Sequence, residues 1–365
     1  MISLKLRIFS EEVKVKTTGE RNPEINLLKF IALVFILLIH KKLPGISGIL
    51  VRGVAAASVP VFFMISGYYS YDVPSEKIGK RARRILALML IANLLYLIWD
   101  ICVELLSGNP LRPWIVQNCS PKRFLIFLLT NESPFRGHLW FLGALLYAYL
   151  FLFPVRKLME CKTGKTGAFL RKNHVHLFFW LSVFLFALNL AGGELLTIYG
   201  KNIQIPYIRN WLFTGIPSFA AAYCIHAREE QLLQYTGKRG MCLILAVAFV
   251  LNLAEVFYAP ACEFYVTTLG TASAAFMLTI VCRGECRSRI LCFLGKAADK
   301  YGLWVYILQI IVIKNLEWFC KEYGIEENPA VQYFSPVFVF FVTFLLALIP
   351  VRIQYFVKAG KRNPC

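Results

Sequence analysis

Apolar residues in this chain arrive in blocks close to the thickness of a bilayer's hydrocarbon core, and no other feature restricts its fold as much. The stretches LFFWLSVFLFALNL (177–190), MCLILAVAFVLNL (241–253) and SPVFVFFVTFLLALIPV (335–351) are examples. A helix of about 20 mostly apolar residues crosses that core. Charged residues make up 17% of the chain, whereas a soluble domain carries about 25%. The blocks predict an all-α, polytopic membrane protein with about ten transmembrane helices. These lie near residues 25–43, 54–71, 84–106, 138–154, 176–192, 211–226, 240–258, 263–282, 302–320 and 334–351. An N-terminal tail (1–22), a transmembrane domain (23–352) and a C-terminal tail (353–365) then account for the chain, with no sizeable soluble domain. The opening MISLKLRIFSEEVKVKTTGE has neither the apolar core nor the small-residue cleavage site of a signal peptide. The short apolar run RFLIFLLT (123–130) would reach only about 12 Å as a helix, so it is expected at the interface or re-entering.

A net charge of +19 would point to nucleic acid in a soluble protein. In a membrane protein basic residues mark cytoplasmic loops, so no nucleic-acid partner is expected. The most basic loops are SEKIGKRARR, VRKLMECKTGKTGAFLRKN and VCRGECRSRILCFLGKAADK. They place both tails in the cytosol. The eleven cysteines include no zinc-type pairing of Cys-x-x-Cys with histidines, so no metal is expected and the thiols read as structural filler. His174, His176 and His226 fall beside these basic loops and are expected to be solvated.

The first span, NLLKFIALVFILLIHKK (26–42), holds Lys29 and His40 with only apolar residues between them. Eleven helical steps rotate about 1100°, which puts both side chains on one face about 16 Å apart along the axis. A lysine at a span end can snorkel to the interface. The pair on one face suits chemistry better. Histidine takes a proton near neutral pH, and lysine is a point charge suited to phosphate. With the N-terminus inside, Lys29 sits near the cytoplasmic boundary and His40 near the outer one. A base at one end and an anion anchor at the other fit a long phosphorylated donor reaching through the membrane. GKRARRI adds Arg81 and Arg84, three residues apart on one helical face, where guanidiniums can grip phosphates in bidentate fashion.

These stretches resemble the acyltransferase-3 family of integral membrane acyltransferases. Lys29 and His40 are similar to its Arg/Lys-x10-His signature, and RARR to its Arg-x-x-Arg pattern before the third span. SVPVFFMISGYYS, HLWFLGALLYAY, IPYIRNWLFTGIPSF and YGLWVYILQ are similar as well, in the family's order. Asn26 stands where the family often has an acid, Lys29 where it has arginine, and Gln309 where a histidine is sometimes found. The resemblance implies transfer of an acyl group, acetyl for preference, from cytosolic acyl-CoA to a hydroxyl of a cell-envelope glycan or lipid-linked sugar, in a bacterial cell membrane. By it His40 is the catalytic histidine, and Lys29, Arg81 and Arg84 bind the donor or organise its channel. The chemistry is self-consistent: a thioester is already activated, so a base, orientation and charge stabilisation suffice.

Other polar groups gather near the outer span ends. Asp100, Glu104, His138, Trp140, Arg209 and Glu255 are expected to line an acceptor pocket, since sugars are held by carboxylates, amides and aromatic platforms. Lys314 and Glu317 read as an intrahelical ion pair, Gly67 as a site of close helix packing and Pro60 as a kink. The Asn-x-Ser matches at Asn118 and Asn131 read as chance. Two alternatives stand beside the enzyme: an exporter or flippase of a polysaccharide unit, and a membrane sensor or anchoring subunit.

Overall fold

The computed structural model describes residues 22–360 except 162, 202 and 260–263. Residues 1–21 and 361–365, which hold nearly all of the first expected tail and the end of the second, lie outside the described residues. Among the described residues there are helices and no strands.

The main helices are α1 (Pro23–His40), α2 (Gly45–Ala56), α3 (Ser58–Tyr68), α4 (Ser75–Leu106), α5 (Trp140–Glu160), α6 (Lys165–Leu190), α7 (Ile216–Ala227), α8 (Lys238–Tyr258), α9 (Val266–Val281), α10 (Arg289–Glu322) and α11 (Pro329–Gly360). Eight stretches among the described residues are long and apolar enough to cross a membrane, with α2 and α3 counting as one. Two shorter apolar pieces, Trp211–Gly215 running into α7 and the whole of α9, stand where the other two spans were expected. The protein is an all-α polytopic membrane protein.

Several helices outrun their apolar blocks. α4 has 32 residues, about 48 Å of helix against about 30 Å of hydrocarbon. Its polar first turns, which carry Arg81 and Arg84, therefore continue the span rather than forming a loop. The run RFLIFLLT falls in a separate helix, Pro121–Thr130, whose Leu125, Leu128 and Leu129 are exposed.

Local chemistry explains where the helices begin. Asn22 caps α1 by accepting from the backbone N–H groups of Glu24 (2.9 Å) and Ile25 (3.3 Å), with Pro23 at the first helical position. Glu255, expected in an acceptor pocket, instead caps α9, accepting from the backbone N–H groups of Val266 (3.2 Å) and Thr267 (3.0 Å). That favours a carboxylate at a helix N-terminus.

α1 sits centrally, packed on α10 most extensively and also on α2, α3, α9 and α11. The core is built around Phe63, Tyr96, Leu142, Tyr223, Val305 and Ile307, all at 0% exposure. Gly67 works as expected: a Cβ there would lie 2.0 Å from the carbonyl oxygen of Phe219, so α3 and α7 touch backbone to backbone. Lys314 and Glu317 pair at 2.9 Å. Asn131 is buried and accepts from the Trp211 backbone N–H at 3.1 Å, a structural role.

Two histidines depart from expectation. His174 is buried, with Nδ1 donating to the Leu170 carbonyl (3.1 Å) and its ring against Tyr71 and Tyr223. His226 stacks on Tyr71, ring centroids 4.9 Å apart. Aromatic residues on α7 and after α3 cover both, which loop composition could not reveal. The nine described cysteines are free. Cys286 and Cys292 lie Sγ to Sγ at 3.2 Å, and that hydrogen bond pushes the Cys286 thiol up to about 11, keeping it protonated and unreactive.

Gly67→Ala is expected to cost about 1–3 kcal/mol of stability, because the clash is with backbone that cannot rotate away. Gly270→Ala on α9 meets nothing within 4 Å and is the matched control. Thermal unfolding in detergent should show a lowered midpoint for the first and none for the second.

Candidate active site

One cavity of about 400 Å³ runs between α1, α3, α4, α5 and α10. Of the residues singled out from sequence, Lys29, His40, Arg81, Arg84, His138, Trp140 and Arg209 all line it. The shared face of Lys29 and His40 is what makes this possible: both side chains of α1 project into the same space, one at each end.

At the Lys29 end the ammonium is paired. Its Nζ lies 3.1 Å from Oδ1 of Asp299 on α10, and Asp299 and Lys300 line the cavity too. Arg81 donates from one terminal nitrogen to the Tyr69 carbonyl (2.8 Å) and to Ser70 Oγ (3.0 Å), tying the start of α4 to the end of α3. Arg84, a turn further along α4, is exposed.

At the His40 end the ring of His40 meets that of His138 edge-on, centroids 5.8 Å apart. His138 lies in the turn Gly137–Leu139 before α5 and is buried. Its Nε2 is 3.4 Å from the Ile307 carbonyl, which also accepts from the Tyr96 hydroxyl at 2.6 Å. A carbonyl can only accept, so this contact puts the proton of the neutral ring on Nε2. The Tyr306 hydroxyl donates to the His138 carbonyl. Arg209 lies over the Trp140 ring at 5.6 Å and pairs with Glu132 at 3.8 Å.

The backbone that presents Arg209 is irregular and heavily capped. Asn210 accepts from the N–H groups of Leu212 (2.9 Å) and Phe213 (3.0 Å), starting a π-helical turn at Trp211–Gly215. Asn131, in the left-handed region at φ 65°, accepts from the Trp211 N–H, and the Trp211 indole donates to the Leu129 carbonyl at 3.0 Å. Two loops are thus sewn together, bringing Arg209 to the cavity with Glu132 paired to it. π-helical turns inside apolar helices recur at functional sites.

The Acyl_transf_3 family model, described as an acyltransferase domain, matches residues 22–352. The chain belongs to the acyltransferase-3 family. It is a membrane acyltransferase. No curated protein and no solved structure matches it. The stretch shared with the acyltransferase-3 family contains every residue that lines the cavity except Gln354.

Two expected residues stand elsewhere. Asp100 does not line the cavity; it is buried and bonded by both terminal nitrogens of Arg136, one at 2.9 Å. Glu104 accepts from the Asn109 side-chain amide at 2.8 Å, away from the site. Arg136 was not singled out because a lone arginine in a short loop carries no local signal. Gln309 is fully buried on α10, outside the cavity. The residues missed at the site were Asp299, Lys300 and Tyr306, together with Glu132, which does not line the cavity but pairs with Arg209. Asp299 had one readable signal, as the sole acid in GKAADKYG. No metal-binding group of histidines, cysteines and acids is found among the described residues.

A double-mutant cycle on Lys29→Met and Asp299→Asn tests the cross-helix pair. The side chains are 17% and 26% exposed, between the surface and buried limits, so a coupling of about 1–3 kcal/mol in unfolding free energy is expected. Additive single effects would show that the two charges act separately.

Proposed function

We propose that this membrane acyltransferase moves an acyl group, acetyl for preference, from cytosolic acyl-CoA to a hydroxyl of a cell-envelope carbohydrate, with His40 as general base. The observation that carries the reading is the single cavity that joins Arg81, Arg84 and Lys29 at one end to His40 at the other. The termini are cytoplasmic in this reading, so the arginine end faces the acyl-CoA pool and the His40 end faces outward.

The donor's phosphates stay at Arg84, Arg81 and Lys300, where the cavity is widest in positive charge. The pantetheine arm extends along α1 for about 16 Å, the axial distance from Lys29 to His40. An acceptor hydroxyl entering near Trp140 and Arg209 meets the thioester beside His40, which removes its proton as attack begins. Holding both reactants there supplies about 7–11 kcal/mol of the barrier in a well-oriented site. The ion pair with Asp299 supports a role for Lys29 in organising the donor channel.

Purified protein given acetyl-CoA should release free thiol and acylate a sugar acceptor. His40→Ala is expected to abolish this; full activity in that variant would remove the mechanism. Arg84→Ala should raise the KM for acetyl-CoA about 10- to 100-fold with kcat nearly unchanged, the loss of one charge-assisted phosphate contact. In proteoliposomes, glycan crossing the bilayer with no thioester consumed would favour export instead.

A further inference from the structure

We propose that Arg209 stabilises the oxyanion of the transfer reaction. The inference rests on thioester transfer at His40 and names the group that reading still lacks.

Attack on a thioester concentrates negative charge on the former carbonyl oxygen, and a water-poor cavity offers that charge nothing unless a donor is already in place. Among the described residues, five lysine and arginine side chains line the cavity: Lys29, Arg81, Arg84, Lys300 and Arg209. The first four are at the Lys29 end. Arg81 is bonded to Tyr69 and Ser70, Lys29 to Asp299, Lys300 is the next residue, and Arg84 is one turn from Arg81. Arg209 is therefore the cation at the His40 end. Its guanidinium lies 5.6 Å over the Trp140 ring, and Trp140, His138, Tyr306 and His40 line the cavity with it.

The neutral donors beside it are engaged. His138 Nε2 is directed at the Ile307 carbonyl and the Tyr306 hydroxyl at the His138 carbonyl. A guanidinium carries five N–H donors in a fixed fork, enough to keep Glu132 and serve a second oxygen. Its position is also rigidly determined. The Trp140 ring supports one face, Glu132 holds it at 3.8 Å, and the Asn210 cap and π-helical turn fix the backbone immediately after it. Rigid placement is what makes such a donor effective, because no reorganisation is needed as the charge forms.

The step balances as follows. The acceptor oxygen bonds to the thioester carbonyl carbon while His40 takes the hydroxyl proton. The carbonyl π pair moves onto oxygen, which accepts from Arg209. Collapse restores the carbonyl and breaks the C–S bond, and the leaving thiolate receives the proton from His40. The products are an acyl ester and free CoA thiol.

The test uses the full chain in nanodiscs with acetyl-CoA and a sugar acceptor, following thiol release. Arg209→Met is expected to lower kcat about 100- to 1,000-fold while the KM for acetyl-CoA stays within about threefold. Arg209→Lys should recover part of the loss, about tenfold, since it restores charge without the fork. Methylguanidinium added to Arg209→Ala should raise its rate saturably, which a purely structural role would not allow. A raised acceptor KM with unchanged kcat would overturn the proposal. So would a lysine variant no faster than methionine together with no chemical rescue. His40→Ala, run alongside, separates the two ideas: full activity there defeats the underlying reading, whereas inactive His40→Ala with fully active Arg209→Met defeats only the role of Arg209.

Discussion

A charged group at membrane depth has to be solvated by the protein around it, and the pair of Lys29 with Asp299 is where this chain meets that demand. The pair joins α1 to α10, the two helices in most extensive contact. Small residues let them approach: a Cβ on Gly295 would sit 3.0 Å from the Leu27 backbone nitrogen, and one on Gly302 3.4 Å from Leu33. Desolvating two charges costs most of what their attraction returns. What the pair provides beyond net stability is register. With α1 fixed against α10 at Lys29, the helical period alone carries His40 to the other end of the same cavity.

The His40 end is built differently. Non-helical backbone is tolerated inside a membrane domain only where protein covers it or where it lines a cavity, and both conditions hold here. Asn131 and Asn210 satisfy the freed backbone N–H groups at the start of the Trp211–Gly215 turn, the Trp211 indole satisfies the Leu129 carbonyl of the other loop, and the turn at Gly137–Leu139 sets His138 against α10. The residues that face His40 therefore come from breaks between helices, and their placement depends on side-chain caps. Truncating either asparagine would disturb the site without touching a residue of the reaction.

Most of the helical plan was legible because hydrophobic block length is a one-dimensional signal: among the described residues eight of the ten expected spans fall on helices long and apolar enough to cross, and the other two on shorter apolar pieces. The same periodicity put Lys29 and His40 on one face. Partners across the bundle were not legible. Asp100 reads like a pocket carboxylate until Arg136 is seen bonded to it, and His174 reads as solvated until Tyr71 and Tyr223 are seen around it. These contacts join residues 36 to 103 positions apart in sequence or lie on separate helices, and no local pattern encodes them. Arg209 was legible as a residue near an outer span end, but its pairing with Glu132 and Trp140 required two loops to be sewn together.

The projection of α4 beyond the hydrocarbon bears on how a charged donor could be used at all. At about 48 Å this helix is roughly 18 Å longer than the core it crosses, and its first turns hold Arg81 and Arg84. Phosphates held there in the proposed transfer stay at headgroup depth, where water and lipid charges still solvate them. In the proposed transfer only the pantetheine arm and the thioester enter the cavity, and neither carries a formal charge. The costly object, an oxyanion in a low-dielectric space, then exists only transiently and only at His40. A cavity with clustered cations at one end and the Arg209 guanidinium at the other suits that division of charge, because each lining cation lies where the proposed transfer puts negative charge and none where it puts the neutral arm.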